Sequence, residues 1–288
     1  MPTLSIPLRI FAALLLSIFS AFGGSEDALR SLVEAEKSFA ATSVERGIRE
    51  SFLRFFAENS IIFAPEPKNG KKFYTYYEDK GRRLSWRPTF VTIANSGELG
   101  VTTGPWELAK SKAEPTPIAH GDFLSVWRKQ LDNSWKVIVD VGVDHAPPGE
   151  LPRETQLLPS SSTPAKVDVD LAQRKLQQAD NRLSEALKEA AGPAILAAAS
   201  EHVRVLRQNT LPAAGRAAAI VALSADNTGP IRNFIEGGIS SAGDLAYRYG
   251  SYTIDDDNGT GRGYYLTIWR TEANSDWKIL IDLQKAAP

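Results

Sequence analysis

The chain has 288 residues, of which 43% are hydrophobic, 23% charged and 9% aromatic, a globular balance that excludes a disordered, collagen-like or polytopic membrane chain. Its 33 basic and 34 acidic residues nearly cancel, so no global field draws it to nucleic acid or to an acidic membrane face. The absence of cysteine excludes disulfides, thiolate catalysis and cysteine-ligated zinc or iron–sulfur clusters, leaving three histidines, the carboxylates and the hydroxyls to carry any chemistry.

Arg9 precedes an apolar stretch from Ile10 to Phe22 that is broken only by Ser17 and Ser20. The stretch is shorter than the ~20 residues a membrane span needs, and Ala21 and Gly23 have the spacing of a cleavage site. Residues 1–24 are therefore expected to be a signal peptide and the mature protein to be secreted or periplasmic; an uncleaved anchor is the alternative. Ser25 is placed to cap a first helix, with Glu26 and Asp27 in its first turn and an apolar stripe of Leu29, Leu32, Val33, Phe39 and Ala40. Gly47 opens a second helix carrying Ile48, Phe52, Leu53, Phe55 and Phe56. The period then changes to that of strands, over Phe90 to Ile93, Leu99 to Leu108, His120 to Leu131 and Trp135 to Val143.

Five prolines and the run Ser160 to Thr163 fall between Ala146 and Val167, a composition that offers little apolar surface and reads as a linker over 147–167. It separates two stretches of near-equal length, 25–146 and 168–288, each the size of a domain. They are copies. Phe123 to Arg128 and Trp135 to Asp140 match Tyr265 to Arg270 and Trp277 to Asp282 at a constant offset of 142, with both tryptophans, the arginine, the lysine and the aspartate coinciding. Gly97 to Trp106 matches Gly243 to Tyr252. Helices followed by a meander of strands, twice over, predict an α+β fold.

The order of a long helix, the helix opened by Gly47-Ile48-Arg49-Glu50, the strand Ser96 to Trp106 and a hairpin with Trp127 and Trp135 resembles the SnoaL-like proteins of the nuclear transport factor 2-like, or ketosteroid isomerase-like, superfamily. The resemblance covers both halves. It implies two tandem cone-shaped domains, each with N-terminal helices packed on a strongly curved antiparallel sheet that encloses a pocket. That fold hosts isomerases, hydratases, cyclases and plain binding domains, so it leaves function open.

Strand alternation sorts the final hairpin of the first half into two faces. One carries Phe123, Ser125, Trp127, Lys136, Ile138, Asp140 and Gly142; the other carries His120, Asp122, Leu124, Val126, Trp135, Val137, Val139, Val141 and His145. The second is more apolar and is expected to meet the helices. His120, Asp122 and His145 would then gather at the open end of the hairpin, as a general base with an orienting carboxylate or as solvated rim residues. Asp140, matched by Asp282, admits two readings: a buried acid or base of raised pKa, or an ion pair with Arg128 or Lys136, repeated as Arg270 or Lys278. Candidate catalytic residues are thus His120, Asp122 and Asp140, and candidate ligand-lining residues are Phe56, Trp86, Trp106, Trp127 and His145. In the second half, alanine-rich helices at 194–199 and 216–220 either open a roomier cavity or bring the helices closer.

No cofactor or metal motif is present, so none is expected. The expected function is binding of a small apolar or amphipathic molecule, or of a protein partner, with isomerase, hydratase or cyclase chemistry in the first half as the alternative. Pairing of the two halves, or a homodimer, is expected, and no nucleic-acid partner. A cavity below about 300 Å³ in both halves would count against small-molecule binding.

Overall fold

The structure is a computed structural model that describes residues 16–150, 154–160, 167–224, 226–256, 259–272 and 276–287. The first fifteen residues of the expected signal peptide therefore lie outside the described residues. The first half runs α1 (Leu16–Arg46), α2 (Ile48–Phe55), β1 (Phe56–Phe63), β2 (Pro67–Asn69), α3 (Gly70–Thr75), β3 (Arg83–Trp86), β4 (Phe90–Ile93), β5 (Leu99–Ala109), β6 (Pro117–Lys129) and β7 (Trp135–His145), followed by β8 (Gln156–Leu158). The second repeats the plan as α4 (Val169–Leu187), α5 (Ala191–Ala198), β9 (Ala199–Arg207), β10 (Thr210–Ala214), α6 (Arg216–Leu223), β11 (Ile231–Ile239), β12 (Leu245–Asp256), β13 (Gly259–Thr271) and β14 (Trp277–Ala286). Two α+β units result, each with its own sheet and helices.

The helix α1 buries the expected stripe of Leu29, Leu32, Val33, Phe39 and Ala40. Ser25 does not cap it, because the helix already runs through that position from Leu16. Gly47 does break it: its φ of 101° turns the chain into α2, and an added Cβ would strike the Asp79 carboxylate. Phe56 leaves α2 and opens β1, a strand absent from the sequence reading, which pairs in parallel with β7 and antiparallel with β2. The sheets run β2-β1-β7-β6-β5-β4-β8 and β10-β9-β14-β13-β12-β11. Most neighbours are antiparallel, with parallel pairs at β1/β7, β9/β14 and β4/β8. The expected linker is not a free tether, since β8 extends the first sheet beside β4 and Thr92 Oγ1 donates to the Leu158 carbonyl at 2.9 Å.

Both final hairpins carry a bulge at the repeat-related residues Ile138 and Leu280, where the register slips between Val126 and Trp127 and between Ile268 and Trp269. Beyond it Ser125 faces Asp140 and His120 faces His145; on the turn side Trp127 faces Val137. The bulge therefore turns Trp135 and Val137 toward the helices together with Trp127, where they join the core of Leu32, Phe39 and Phe52. The expectation that the more apolar face meets the helices holds for Trp135 and Val137 and is reversed beyond the bulge. Leu124, Val126, Val139, Val141 and Val143 instead share one dry core with Leu245, Leu266, Ile268, Ile281 and Leu283 of the second half. Two sheets packed face to face bury their shared surface and need the more apolar sides, whereas a helix-covered concave face keeps room for polar groups.

Polar groups tie this sheet-to-sheet contact at its rims. Asp244 accepts from the Asn95 backbone N–H at 2.9 Å and from the Ser240 hydroxyl at 2.8 Å. The Asn209 N–H donates to the Asp144 carbonyl at 2.7 Å, and the Arg204 guanidinium lies 4.4 Å from the Phe90 ring centroid.

Candidate functional site

The concave face of the first sheet and the helices above it enclose a cavity of about 240 Å³. Its walls are aromatic: Phe39 from α1, Phe52 from α2, Tyr74 from α3, Tyr77 just after it, Trp86 from β3 and Trp106 from β5. Trp106 can lie across the floor because β6 and β7 present glycines there; a Cβ at Gly121 would come within 2.4 Å of the indole and one at Gly142 within 3.3 Å. Ser125 and Asp140 are the polar floor.

Asp140 is half-buried, and the exposure it keeps is to the cavity. Ser125 Oγ donates to its Oδ1 at 2.6 Å, and no lysine or arginine among the described residues forms an ion pair with it. Burial pushes its pKa up to about 6, against the opposing Ser125 hydrogen bond and the charge of Lys285 from the second half. The ion pair with Arg128 or Lys136 is absent; the Lys136 ammonium turns instead to the Arg54 carbonyl. Behind Trp86 lies a second carboxylate, Glu36, with no exposed surface. It accepts from Trp86 Nε1 and Thr102 Oγ1 at 2.6 Å each and from Trp127 Nε1 at 3.0 Å. Burial still raises its pKa to about 7, with the nearby charge of Asp140 adding to the rise. Two carboxyls without an ion-paired cation thus titrate around neutrality within one aromatic shell, and burial together with Asp140 keeps the Tyr74 phenol protonated.

The second half keeps the carboxylates and neutralises them. Asp282 receives Arg207 Nη2 at 2.7 Å and Arg232 Nη2 at 2.8 Å, and these two charges hold its pKa below the usual value in spite of burial. The expected partners Arg270 and Lys278 are not the ones used. Asp180, which meets Arg248 as Glu36 meets Thr102, is paired with Arg248 Nε at 2.8 Å. Arg232 lies over the Tyr265 ring, its guanidinium 4.4 Å from the centroid, and Gln284 stands where the first half has Gly142. The alanine-rich helices bring their backbones together: a Cβ on Gly192 would come within 2.1 Å of the Leu223 carbonyl. Arginines and close helices occupy the positions that the first half leaves to its cavity.

Of the residues singled out from sequence, Trp86, Trp106 and Asp140 line the cavity. Phe56 and Trp127 are fully buried in the core behind it, and Trp127 serves as a donor to Glu36. His120, Asp122 and His145 lie outside the cavity, on the opposite face of the sheet. His145 Nε2 and Asp122 Oδ2 are 2.7 Å apart and nearly inaccessible, and the charge of Arg204 from the second half acts on Asp122. That pair belongs to the contact between the sheets. Among the described residues no three histidine, aspartate or glutamate side chains converge as metal ligands would. Sequence reasoning missed Glu36, although a signal existed: it interrupts the apolar stripe of α1 one turn after Leu32, where an exposed glutamate has no place.

No protein-family model and no curated protein sequence matches the chain. Among solved structures it is similar to a ketosteroid isomerase-like protein from Erwinia carotovora atroseptica, at 17% identity and a TM-score of 0.35 over 40% of this chain and 96% of that one. A protein of unknown function from Pseudomonas putida, described as NTF2-like, is similar at 17% identity and a TM-score of 0.34 over 41% of this chain and 88% of that one. Another NTF2-like protein of unknown function, from Shewanella oneidensis, is similar at 13% identity and a TM-score of 0.34 over 39% and 97%.

Proposed function

We propose that this chain is a tandem nuclear transport factor 2-like protein whose first half binds a small, mostly apolar ring compound, with Asp140 as its polar anchor and the second half as a scaffold. The observation that carries the reading is the contrast between repeat-related aspartates, one open to an aromatic cavity without a cation and the other held by two arginines. At about 240 Å³ the cavity falls below the ~300 Å³ expected of a small-molecule site, which counts against a ligand of drug size. It is ample for one ring or two, since an apolar cavity of about 150 Å³ suffices for benzene.

The anchor dictates a pH signature. Ionised Asp140 accepts a hydrogen bond, so a small phenol such as 4-ethylphenol binds best above pH 6 and about tenfold more weakly at pH 5, where roughly a tenth of the carboxyl is ionised. Calorimetric titration at pH 5 and pH 8 checks this, and Asp140→Asn is expected to abolish the difference. Failure of the phenol to bind at either pH would overturn the reading. An acid–base activity of the isomerase or hydratase kind is the second reading, favoured by a carboxyl that titrates near neutrality beside a protonated phenol. Exchange of α-protons on a small cyclic ketone in heavy water, followed by NMR, distinguishes the two. Export to the periplasm or medium is part of the proposal; its support is the sequence pattern from Arg9 to Gly24.

A further inference from the structure

The short strand β8 lies along the outer edge of β4, with Leu157 beside Val91 and Leu158 beside Thr92. Leu158 packs against the core between the two sheets. Three side chains hold the strand: Thr92 Oγ1 donates to the Leu158 carbonyl, Arg270 Nη2 to the Pro159 carbonyl and Arg204 Nη2 to the Gln156 side chain. Both arginines belong to the second half, so β8 sits where the edge of one sheet meets the face of the other.

β11 is the repeat equivalent of β4. Val91 lies opposite Thr102 and Ile93 opposite Gly100, as Gly237 lies opposite Arg248 and Ile239 opposite Ala246. The Ala94 N–H donates to the Leu99 carbonyl and the Ser240 N–H to the Leu245 carbonyl, so alternation turns the backbone groups of Val91 and of Gly237 alike toward the outer edge. At Val91 that edge is met by β8. β11 ends its sheet, and among the described residues no strand pairs with its outer side. In place of a strand there is an open cleft of about 430 Å³, bordered by Gly237 and Gly238 and of the size of a ligand site. Arg128, the repeat equivalent of Arg270, lines it, and among the described residues its guanidinium donates no hydrogen bond and joins no ion pair. Ile61 lines it where the second half has Arg204, both pairing with the equivalent residue of the neighbouring strand. Glu236 stands where β4 has Phe90, and its carboxylate accepts from the Tyr249 hydroxyl at 3.0 Å.

We propose that this cleft binds an extended peptide of a partner protein, which adds a strand parallel to β11 as β8 adds one to β4. An unpaired edge supplies the backbone donors and acceptors for such an addition, and the side chains around it select the sequence. At the position of Gln156 the cleft suits a lysine, whose stem covers Ile61 and whose ammonium meets the Glu236 carboxylate. Two apolar residues follow, the second entering the gap between the sheets as Leu158 does. The next carbonyl is met by Arg128, as Arg270 meets that of Pro159. The proposal does not depend on the ligand of the Asp140 cavity, which lies on the opposite face of the first sheet.

The probe is the acetylated and amidated peptide Glu-Thr-Lys-Leu-Leu-Pro-Ser, the chain's own sequence over 154–160 with lysine in place of glutamine. Fluorescence anisotropy of the labelled peptide with the full chain is expected to show saturable binding. An N-methyl group on the second leucine is expected to weaken it about tenfold, because that N–H donates to the Gly237 carbonyl in the added strand. Arg128→Gln is expected to weaken it by a similar factor; the side chain has no partner to lose, so the variant is expected to fold. Glu236→Gln is expected to erase the preference for the lysine peptide over the glutamine one. Absence of binding would overturn the proposal, and equal binding of the N-methylated peptide would overturn strand addition. Binding unchanged in Arg128→Gln would overturn the cleft as its place, and equal affinity of the parent for lysine and glutamine peptides would overturn the role of Glu236. A dimer of the chain that the peptide dissociates would place a second copy on this edge and overturn the partner's identity.

Discussion

Asp282→Asn is expected to destabilise the protein by about 3–5 kcal/mol at pH 7, whereas the same substitution at the repeat-related position, Asp140→Asn, is expected to stabilise it by about 1–3 kcal/mol at pH 8. Removing the Asp282 charge leaves Arg207 and the almost fully buried Arg232 facing each other across a neutral amide. Removing the Asp140 charge ends the cost of ionising a desolvated carboxyl and keeps an oxygen to accept from Ser125. The pH dependences are opposite as well. Asp140 is raised from 3.8 to about 6, so the folded state holds its proton more tightly than the unfolded chain does. Its stabilising effect is complete below pH 3.8, declines between about pH 4 and 6 and is absent above. Glu36, raised from 4.5 to about 7, extends the decline toward neutrality. Asp282 is lowered, so its contribution is present above pH 3.8 and disappears as pH falls through its folded value. Urea unfolding of the parent and both variants between pH 3.5 and 8 measures all three; an equal loss of stability from both substitutions at pH 8 would show that the two aspartates share one environment.

Phe39→Ala is expected to cost about 3–5 kcal/mol and to widen the range of ligands accepted. The Phe39 ring is the hub of the aromatic shell, with centroids 4.8 Å from Phe52, 5.2 Å from Phe55 and 4.7 Å from Trp86, and it forms part of the cavity wall. These neighbours come from α2 and β3, two elements that cannot collapse together to refill the space, so the loss approaches the upper end for a core aromatic. The space gained adjoins the cavity. A three-ring phenol is expected to bind the variant and not the parent, with thermal unfolding reporting the stability loss in the same preparation. A stability loss below 1 kcal/mol would contradict the packing described here.

The chain announces its organisation locally. A tryptophan-flanked hairpin repeated at an offset of 142, a glycine that breaks the first helix and a run of strands after the helices are properties of neighbouring residues, and short-range geometry suffices to interpret them. Asp140 was visible as a candidate for the same reason, as a carboxylate in an otherwise apolar strand with a copy in the second half.

What alternation could not decide was which face of the hairpin meets the helices. A second sheet competes for the apolar face and wins because it buries more of it, and the bulges at Ile138 and Leu280 then re-aim the tryptophans. His120, Asp122 and His145 therefore fell on the wrong side of the sheet for the cavity, though their mutual register was readable from the turn. The fate of the two aspartates was equally out of reach. Asp282 is neutralised by Arg207 and Arg232, residues 75 and 50 positions away, and Asp140 has no such cations, a difference of long-range placement on which the local repeat, with its matching arginine and lysine, is silent. Periodicity records which side chains share a face; burial, charge pairing and the room left for a ligand depend on what the rest of the chain brings to that face, and only the tertiary structure decides it.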